Sequence, residues 1–287
     1  MSLRVGALCA GYGGLELGLQ LAGIDTDLKW VSETDEGCSR VLANHWPTTL
    51  NLGDLTEISD PPQVDAVTAG WPCQPVSTAA TSRNRRLGMN DERWLIRDVV
   101  RIANAAHAQW IFLENVYGLL SANQGFAFGE VLAALAEGGF DAKWACIRAD
   151  QSVGACHRRQ RWFAVAHVAD TPSAEWRIPQ HDAVGASVEQ TAEPGECYRP
   201  SAWGRFEPSI RRWETVMGRP APAPVADDKL SSRFVEWMLG LPSGWVTDIG
   251  LSRAQELKIL GNGVMPQQAA AAYGWLLEQW TGAKMGR

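Results

Sequence analysis

No apolar run in this chain approaches the roughly 18 residues needed to cross a bilayer, which argues against a membrane-spanning protein. There is no Cys-x-x-Cys pair and no Cys/His ligand cluster. The six cysteines, Cys9, Cys38, Cys73, Cys146, Cys156 and Cys197, stand apart, so neither a metal site nor a disulfide framework is expected. Met1-Ser2-Leu3-Arg4 leads straight into a strand-like segment without the pattern of a signal peptide, and a reducing intracellular compartment is expected. Positive charge is not in excess. Lys and Arg number 26 against 32 Asp and Glu, a net charge of -6, which argues against a protein held to nucleic acid by bulk charge but leaves room for a local basic cleft. Internal repeats and low-complexity tracts are missing as well. What remains is a globular composition, 46% hydrophobic over 287 residues, enough for one large domain or one large and one small. Core and interface packing suffices for most of the 14 tryptophans.

Strand-like segments at residues 3–10, 29–32, 64–69, 110–113, 142–148 and 162–168 alternate with helical patterns after Gly14 and over 36–45, 94–106 and 126–138. This order predicts an α/β domain with a largely parallel sheet. Residues 78–93 are polar, small and basic and read as a mobile loop. Prolines punctuate 170–228 with little periodicity, which predicts a small irregular module. Order returns with a helix near 230–238 and an alanine-rich helix over 269–280. We expect a catalytic and cofactor-binding domain over 1–168, a recognition domain over 169–251, and a segment over 252–287 that returns to the first.

Pro72-Cys73-Gln74-Pro75 follows the apolar run Asp65–Trp71 directly. A cysteine held at a strand end between prolines is either an aimed nucleophile or a small buried residue in a turn. Gly11, Gly13 and Gly14 occupy a strand-to-helix turn, as a ligand-approach site or as a plain tight turn. Their spacing is not that of a dinucleotide pyrophosphate loop, which disfavours a nicotinamide dehydrogenase. Glu33, about 20 residues on at the end of the next strand, is placed to bind ribose hydroxyls. Asp54 reads either as an acceptor for an adenine amino group or as a turn or cap aspartate. Together these residues suggest an adenosine-containing cofactor at the carboxyl ends of the strands. Glu114-Asn115 ends another strand facing the same crevice; Glu114 is a candidate proton donor to an electron-poor ring or a helix-start carboxylate. Arg159 and Arg161 alternate onto one face of an extended segment, fit to orient a phosphate and a base carbonyl or to form a solvated basic edge.

The chain resembles the DNA (cytosine-5) methyltransferases of phage and bacterial type. The resemblance rests on Leu8–Gly14, Glu33-Thr34-Asp35, Gly53-Asp54-Leu55, Gly70–Ser77, Glu114-Asn115-Val116, Arg159-Gln160-Arg161, Arg233–Pro242 and Gly261–Pro266, in the family's order. The span 168–228 falls where that family has its variable target-recognition region. The resemblance implies a Rossmann-like S-adenosylmethionine-dependent fold acting on double-stranded DNA as a monomer, without a metal, in the cytoplasm of a bacterial or phage-infected cell. It implies a catalytic set of Pro72, Cys73, Glu114, Asn115, Arg159 and Arg161. Cys73 would attack carbon-6 of a flipped cytosine, Glu114 would hold the ring nitrogen, Asn115 would position the Pro72-Cys73 turn and Arg161 would contact the base carbonyl. For the cofactor it implies Cys9, Ala10, Gly11, Gly13, Gly14, Glu33, Thr34, Asp54, Leu55, Leu95, Asn262 and Val264. For DNA it implies Gln74, Ser77, Arg83, Arg85, Arg86, Arg205, Arg211 and Arg212, with Arg177 and Arg199 also in the recognition region. The family commonly has a phenylalanine where Cys9 stands and an aromatic residue where Thr34 stands, and both normally help to pack the adenine. The alternatives are a catalytically silent DNA-binding member of the fold and a cytosine-5 methyltransferase acting on RNA. An amino-group methyltransferase is disfavoured, since it would have a Pro-Pro pair and an aromatic residue in place of Pro72-Cys73.

Overall fold

The computed structural model describes residues 2–72, 94–169 and 203–281. The expectations for Cys73, Gln74, Ser77, the loop 78–93 with Arg83, Arg85 and Arg86, and Arg177 and Arg199 lie outside the described residues.

The N-terminal elements alternate as β1 (Leu3–Leu8), α1 (Gly14–Leu21), β2 (Thr26–Ser32), α2 (Glu36–His45), β3 (Leu50–Asn51) and β4 (Ala66–Ala69). They continue as α3 (Ile96–Ala105), β5 (Trp110–Val116), α4 (Phe126–Glu137), β6 (Phe140–Arg148), α5 (Ala149–Ser152) and β7 (Gln160–Val168). After the second undescribed stretch come α6 (Glu207–Met217), the short pair β8 (Val225–Ala226) and β9 (Lys229–Leu230), α7 (Ser232–Met238), α8 (Arg253–Asn262) and α9 (Pro266–Thr281).

The seven-stranded sheet has the order β3-β2-β1-β4-β5-β7-β6. The first five strands are parallel, and β7 runs antiparallel to both β5 and β6. Alternating side chains bury both faces. Leu8, Val67, Ala69, Ile111, Leu113 and Trp162 pack under α3 and α4. Val5, Ala66, Trp110, Phe112, Phe163 and Val165 pack under α1 and α9. The order reverses at β1, with β2 on one side and β4 on the other, and a crevice opens beyond the strand ends there.

Several boundaries differ from those expected. β1 stops at Leu8 because Cys9 takes a φ of 50°, a left-handed conformation that no strand continues. Glu114 and Asn115 do not cap β5. They lie inside it, opposite Phe163 and Trp162 of β7. The stretch expected to be irregular contains α6. Pro208 sits in its first turn, where the missing N–H costs nothing; Ile210 and Trp213 are buried, and Gly218 ends it in the left-handed conformation. The alanine-rich helix begins at Pro266, three residues earlier than expected.

Candidate active site

A cavity of about 610 Å³ lies at the carboxyl ends of the parallel strands. Its walls bring together residues far apart in the chain. The first is the glycine loop. Glycine at 13 is required twice over: its φ is 82°, and a Cβ there would come within 2.4 Å of the Trp46 ring. At Gly11 the space around a notional Cβ is open and the φ is 58°. The Gly11 amide donates to Glu33 Oε2 at 2.8 Å, and the Asp35 amide donates to Oε1 at 2.8 Å. Asn51 supports the end of β2, accepting from the Glu33 amide at 3.1 Å and donating to its carbonyl at 3.0 Å. Glu33 is therefore fixed in place beside the loop. Burial pushes its carboxyl above the ordinary carboxylate range, against the pull of those amides.

Asp54 lines the same cavity and also caps a short 3-10 turn, accepting from the Thr56 amide at 2.9 Å and hydroxyl at 2.8 Å. The cap reading is thus observed, and it holds the carboxylate at the cavity wall. Cys9, half-buried, lines the same cavity. Its thiol is pushed up to about 12, first by burial and then by Glu33 and Asp54, so it carries no thiolate at neutral pH.

The second wall is the end of β5. Glu114 is 8% exposed, and its Oε1 lies 3.1 Å from Arg161 Nε. The antiparallel register explains the pair. Arg161 stands opposite Val116, so Glu114 is its diagonal neighbour on the same face. Burial raises the Glu114 carboxyl, while the charges of Arg161 and Arg159 oppose that rise; the net direction is upward. Asn115, 1% exposed, donates to the Trp71 carbonyl at 3.3 Å and so grips the residue before Pro72. Trp71 is held edge-on by Trp94 and Trp162. Gly70 and the Glu114 carboxylate line the cavity side by side; a Cβ on Gly70 would lie 3.6 Å from Oε2, an ordinary contact.

Of the residues expected at the site, Cys9, Ala10, Gly11, Gly14, Glu33, Thr34, Asp54, Leu55, Leu95, Pro72, Glu114, Arg161, Asn262 and Val264 line this one cavity. Gly13 and Arg159 stand behind it. Gly13 is the N-cap of α1, and Arg159 Nη2 donates to the Gly263 carbonyl. Arg205, Arg211 and Arg212, expected at DNA, do not line the cavity. Arg205 lies over the Phe206 ring at 5.0 Å, Arg211 pairs with Glu214 at 2.8 Å, and Arg212 donates to the carbonyls of Gly154 and Ala155.

Tyr12, Ser32, Gly70, Trp71, Val116, Asp35 and Lys258 line the cavity without having been expected there. Lys258 meets Asp35 at 2.6 Å on the rim. Nothing in its neighbourhood in sequence signals this, since α8 arrives from the far end of the chain. Among the described residues, no group of three or more His, Cys, Asp or Glu could hold a metal ion.

The chain is similar to known methyltransferases of bacterial and viral origin. The chain is 28% identical to the type II methyltransferase M2.BsuMI of Bacillus subtilis (strain 168), over 91% of this chain and 72% of that protein. It is 33% identical to M.NlaX of Neisseria lactamica over 67% of this chain and 60% of the relative. It is also 33% identical to M.CviJI of Paramecium bursaria Chlorella virus IL3A over 58% of this chain, and spans 43% of that protein's length. Among solved structures, an Entamoeba histolytica methyltransferase, EhMeth, superposes with a TM-score of 0.62 at 17% identity, covering 97% of this chain and 99% of its own. The Dnmt2 methyltransferase of S. pombe superposes with a TM-score of 0.61 at 15% identity, covering 96% and 99%. At those identities the likeness shows a shared fold. The family model of the C-5 cytosine-specific DNA methylases matches residues 3–196, which carry the glycine loop, Glu33, Pro72-Cys73, Glu114-Asn115 and the arginine pair; the chain belongs to that family.

Proposed function

We propose that this protein methylates carbon-5 of cytosine in double-stranded DNA, with S-adenosylmethionine as the methyl donor. The observation that carries the reading is Glu114: a buried carboxyl, braced by Arg161, opening into the same cavity as the glycine loop and Glu33. The residues fit an adenosyl ligand. Gly11 leaves the backbone free for close approach, Glu33 and Asp54 present carboxylates suited to ribose hydroxyls and an adenine amine, and Leu95, Leu55 and Ile259 supply apolar surface. When bound, S-adenosylmethionine supplies an electrophilic methyl group.

The protein's part is to make the cytosine ring nucleophilic and to release it afterwards. The base must leave the helix to reach the site. The Cys73 thiolate forms a bond to carbon-6, and the ring electrons move towards the ring nitrogen beside Glu114. A carboxyl group raised by burial keeps its proton to a higher pH, so Glu114 can donate to that nitrogen as charge builds there. Arg161 steadies Glu114 and would contact the base carbonyl. Asn115 holds the Trp71-Pro72 junction that precedes the nucleophile. After carbon-5 gains the methyl group, loss of its proton expels Cys73 and restores the ring. We place this activity inside the cell, on DNA, with the region around 169–251 reading the target.

Incubation with unmethylated duplex DNA and radiolabelled S-adenosylmethionine should yield 5-methylcytosine. Cys73→Ser should lower turnover by at least about a thousandfold, because a hydroxyl is a far weaker nucleophile than a thiolate. Unchanged turnover in Cys73→Ser would sink the mechanism. Preferential labelling of transfer RNA in competition would move the substrate to RNA, and absence of transfer to either would leave a silent DNA binder.

A further inference from the structure

Tyr12 stands in the middle of the glycine loop, where a side chain at a strand-to-helix turn is usually free to face solvent, yet it is 1% exposed. It belongs to an apolar cluster with Val41, Leu241, Val246 and Leu260. It is packed hard against the opposite wall of the cavity. A Cβ on Gly263 would come within 1.8 Å of a ring carbon, so only glycine fits there. The hydroxyl donates to the Val264 carbonyl at 2.5 Å across 252 positions of sequence. The Tyr12 backbone carbonyl in turn accepts from Trp245 Nε1 at 2.9 Å, and the Trp245 indole is itself stacked on His45 with ring centres 3.5 Å apart.

The Gly263-Val264 step is therefore held from two sides. Tyr12 grips it from the glycine loop, and Arg159, whose charge acts on Glu114, grips the Gly263 carbonyl from the base-binding cluster. Val264 also approaches Gly70, beside Glu114. Burial raises the phenol well above its ordinary value, so the hydroxyl stays a donor throughout the pH range in which the protein works.

We propose that Tyr12 is a positioning residue for the cofactor: its hydroxyl bond to Val264 and its ring against Gly263 set the spacing between the glycine loop and the Gly261–Val264 wall. The proposal rests on the reading of this cavity as the S-adenosylmethionine site. Removing the hydroxyl leaves the ring in place but takes the partner from a buried carbonyl. The wall is then free to shift, and the cost falls on cofactor binding.

Isothermal titration of the wild-type protein and Tyr12→Phe with S-adenosylhomocysteine tests this. The expected result is a Kd raised about tenfold in a protein with unchanged circular dichroism. In turnover assays the cofactor KM should rise while kcat at saturation stays within about twofold, as for an interaction made equally in ground and transition states. Equal affinities in a folded Tyr12→Phe protein would overturn the proposal alone, as would a lowered melting temperature with unchanged Kd or a fall in kcat with unchanged KM. Failure of the wild-type protein to bind the nucleoside would overturn the cofactor reading and this proposal with it. If Tyr12→Phe does not fold, Trp245→Phe removes the donor to the Tyr12 carbonyl while keeping the stacked ring. A several-fold rise in its Kd supports the strut, and an unchanged Kd overturns it.

Discussion

Glu16 lies in the first turn of α1, 3% exposed, with Oε1 accepting from Thr68 Oγ1 at 2.5 Å and Oε2 without a hydrogen-bond partner among the described residues. Burial raises its carboxyl above the ordinary value of 4.5, outweighing the Thr68 bond. The folded value is the higher one, so the folded protein holds the proton more tightly than the unfolded chain. The resulting stabilisation is complete below the unfolded value and is lost as pH rises through the folded value. Glu16→Gln, which keeps the shape and an acceptor, should flatten the decline of melting temperature as pH rises from the ordinary carboxylate value towards pH 8. At the upper end it should melt about 2–4 °C above the wild-type protein, measured by differential scanning calorimetry. A parallel pair of pH profiles would show that Glu16 titrates elsewhere. No single-residue signal in the sequence pointed to Glu16, because a glutamate on an amphipathic helix reads as solvent-facing until the strand beneath it is known. Glu33 and Glu114 were legible for the opposite reason: each follows or nearly ends a strand, on the edge of the sheet where the crevice opens.

Helix α8 shows how a short-range signal can be present and still pass unread. Ser252 accepts from the Gln255 amide, and the Gln255 side chain accepts from the Ser252 amide at 3.0 Å, a complete capping box. The motif is plain in Ser252-Arg253-Ala254-Gln255, but apolar residues segregate only weakly along α8, so the helix itself is hard to read. The cap matters because α8 delivers Lys258, Gly261 and Asn262 to the cavity. Ser252→Ala should destabilise the protein by about 1 kcal/mol in urea titration. A loss below about 0.3 kcal/mol would mean that packing of Ile259 and Leu260, near its other end, holds the helix without the cap. Helix α6 was hidden by its own proline. Pro208 looks like a breaker among the prolines of 170–228, yet in a first turn it is tolerated.

The sheet and the segment after it are joined by an aromatic cluster. Trp213, fully buried, donates Nε1 to the Trp237 carbonyl at 3.0 Å, and Trp203, Phe234 and Trp237 stack in sequence beside it. Ala149 and Ala155, both in the connection from β6 to β7, and Met265, just before α9, belong to the same cluster. Trp213→Ala should cost about 3–5 kcal/mol by urea titration, since a cavity of that size cannot collapse among rigid rings. A cost under about 1 kcal/mol would show that the segment is not anchored there. The α/β class, the alternation of strands and helices, the glycine turn and the carboxylates at strand ends were all readable from the order of residues. Each depends on neighbours a few positions apart, through backbone conformation and side-chain periodicity. The cavity is a different matter. It joins Tyr12 to Val264, Asp35 to Lys258 and Glu114 to Arg161, and it brings Arg159 onto the Gly263 carbonyl while its charge acts on Glu114. Those pairings come from parallel register, an antiparallel return by β7 and the docking of α8 and α9 from the distant end of the chain, contacts that exist only once the whole core has packed.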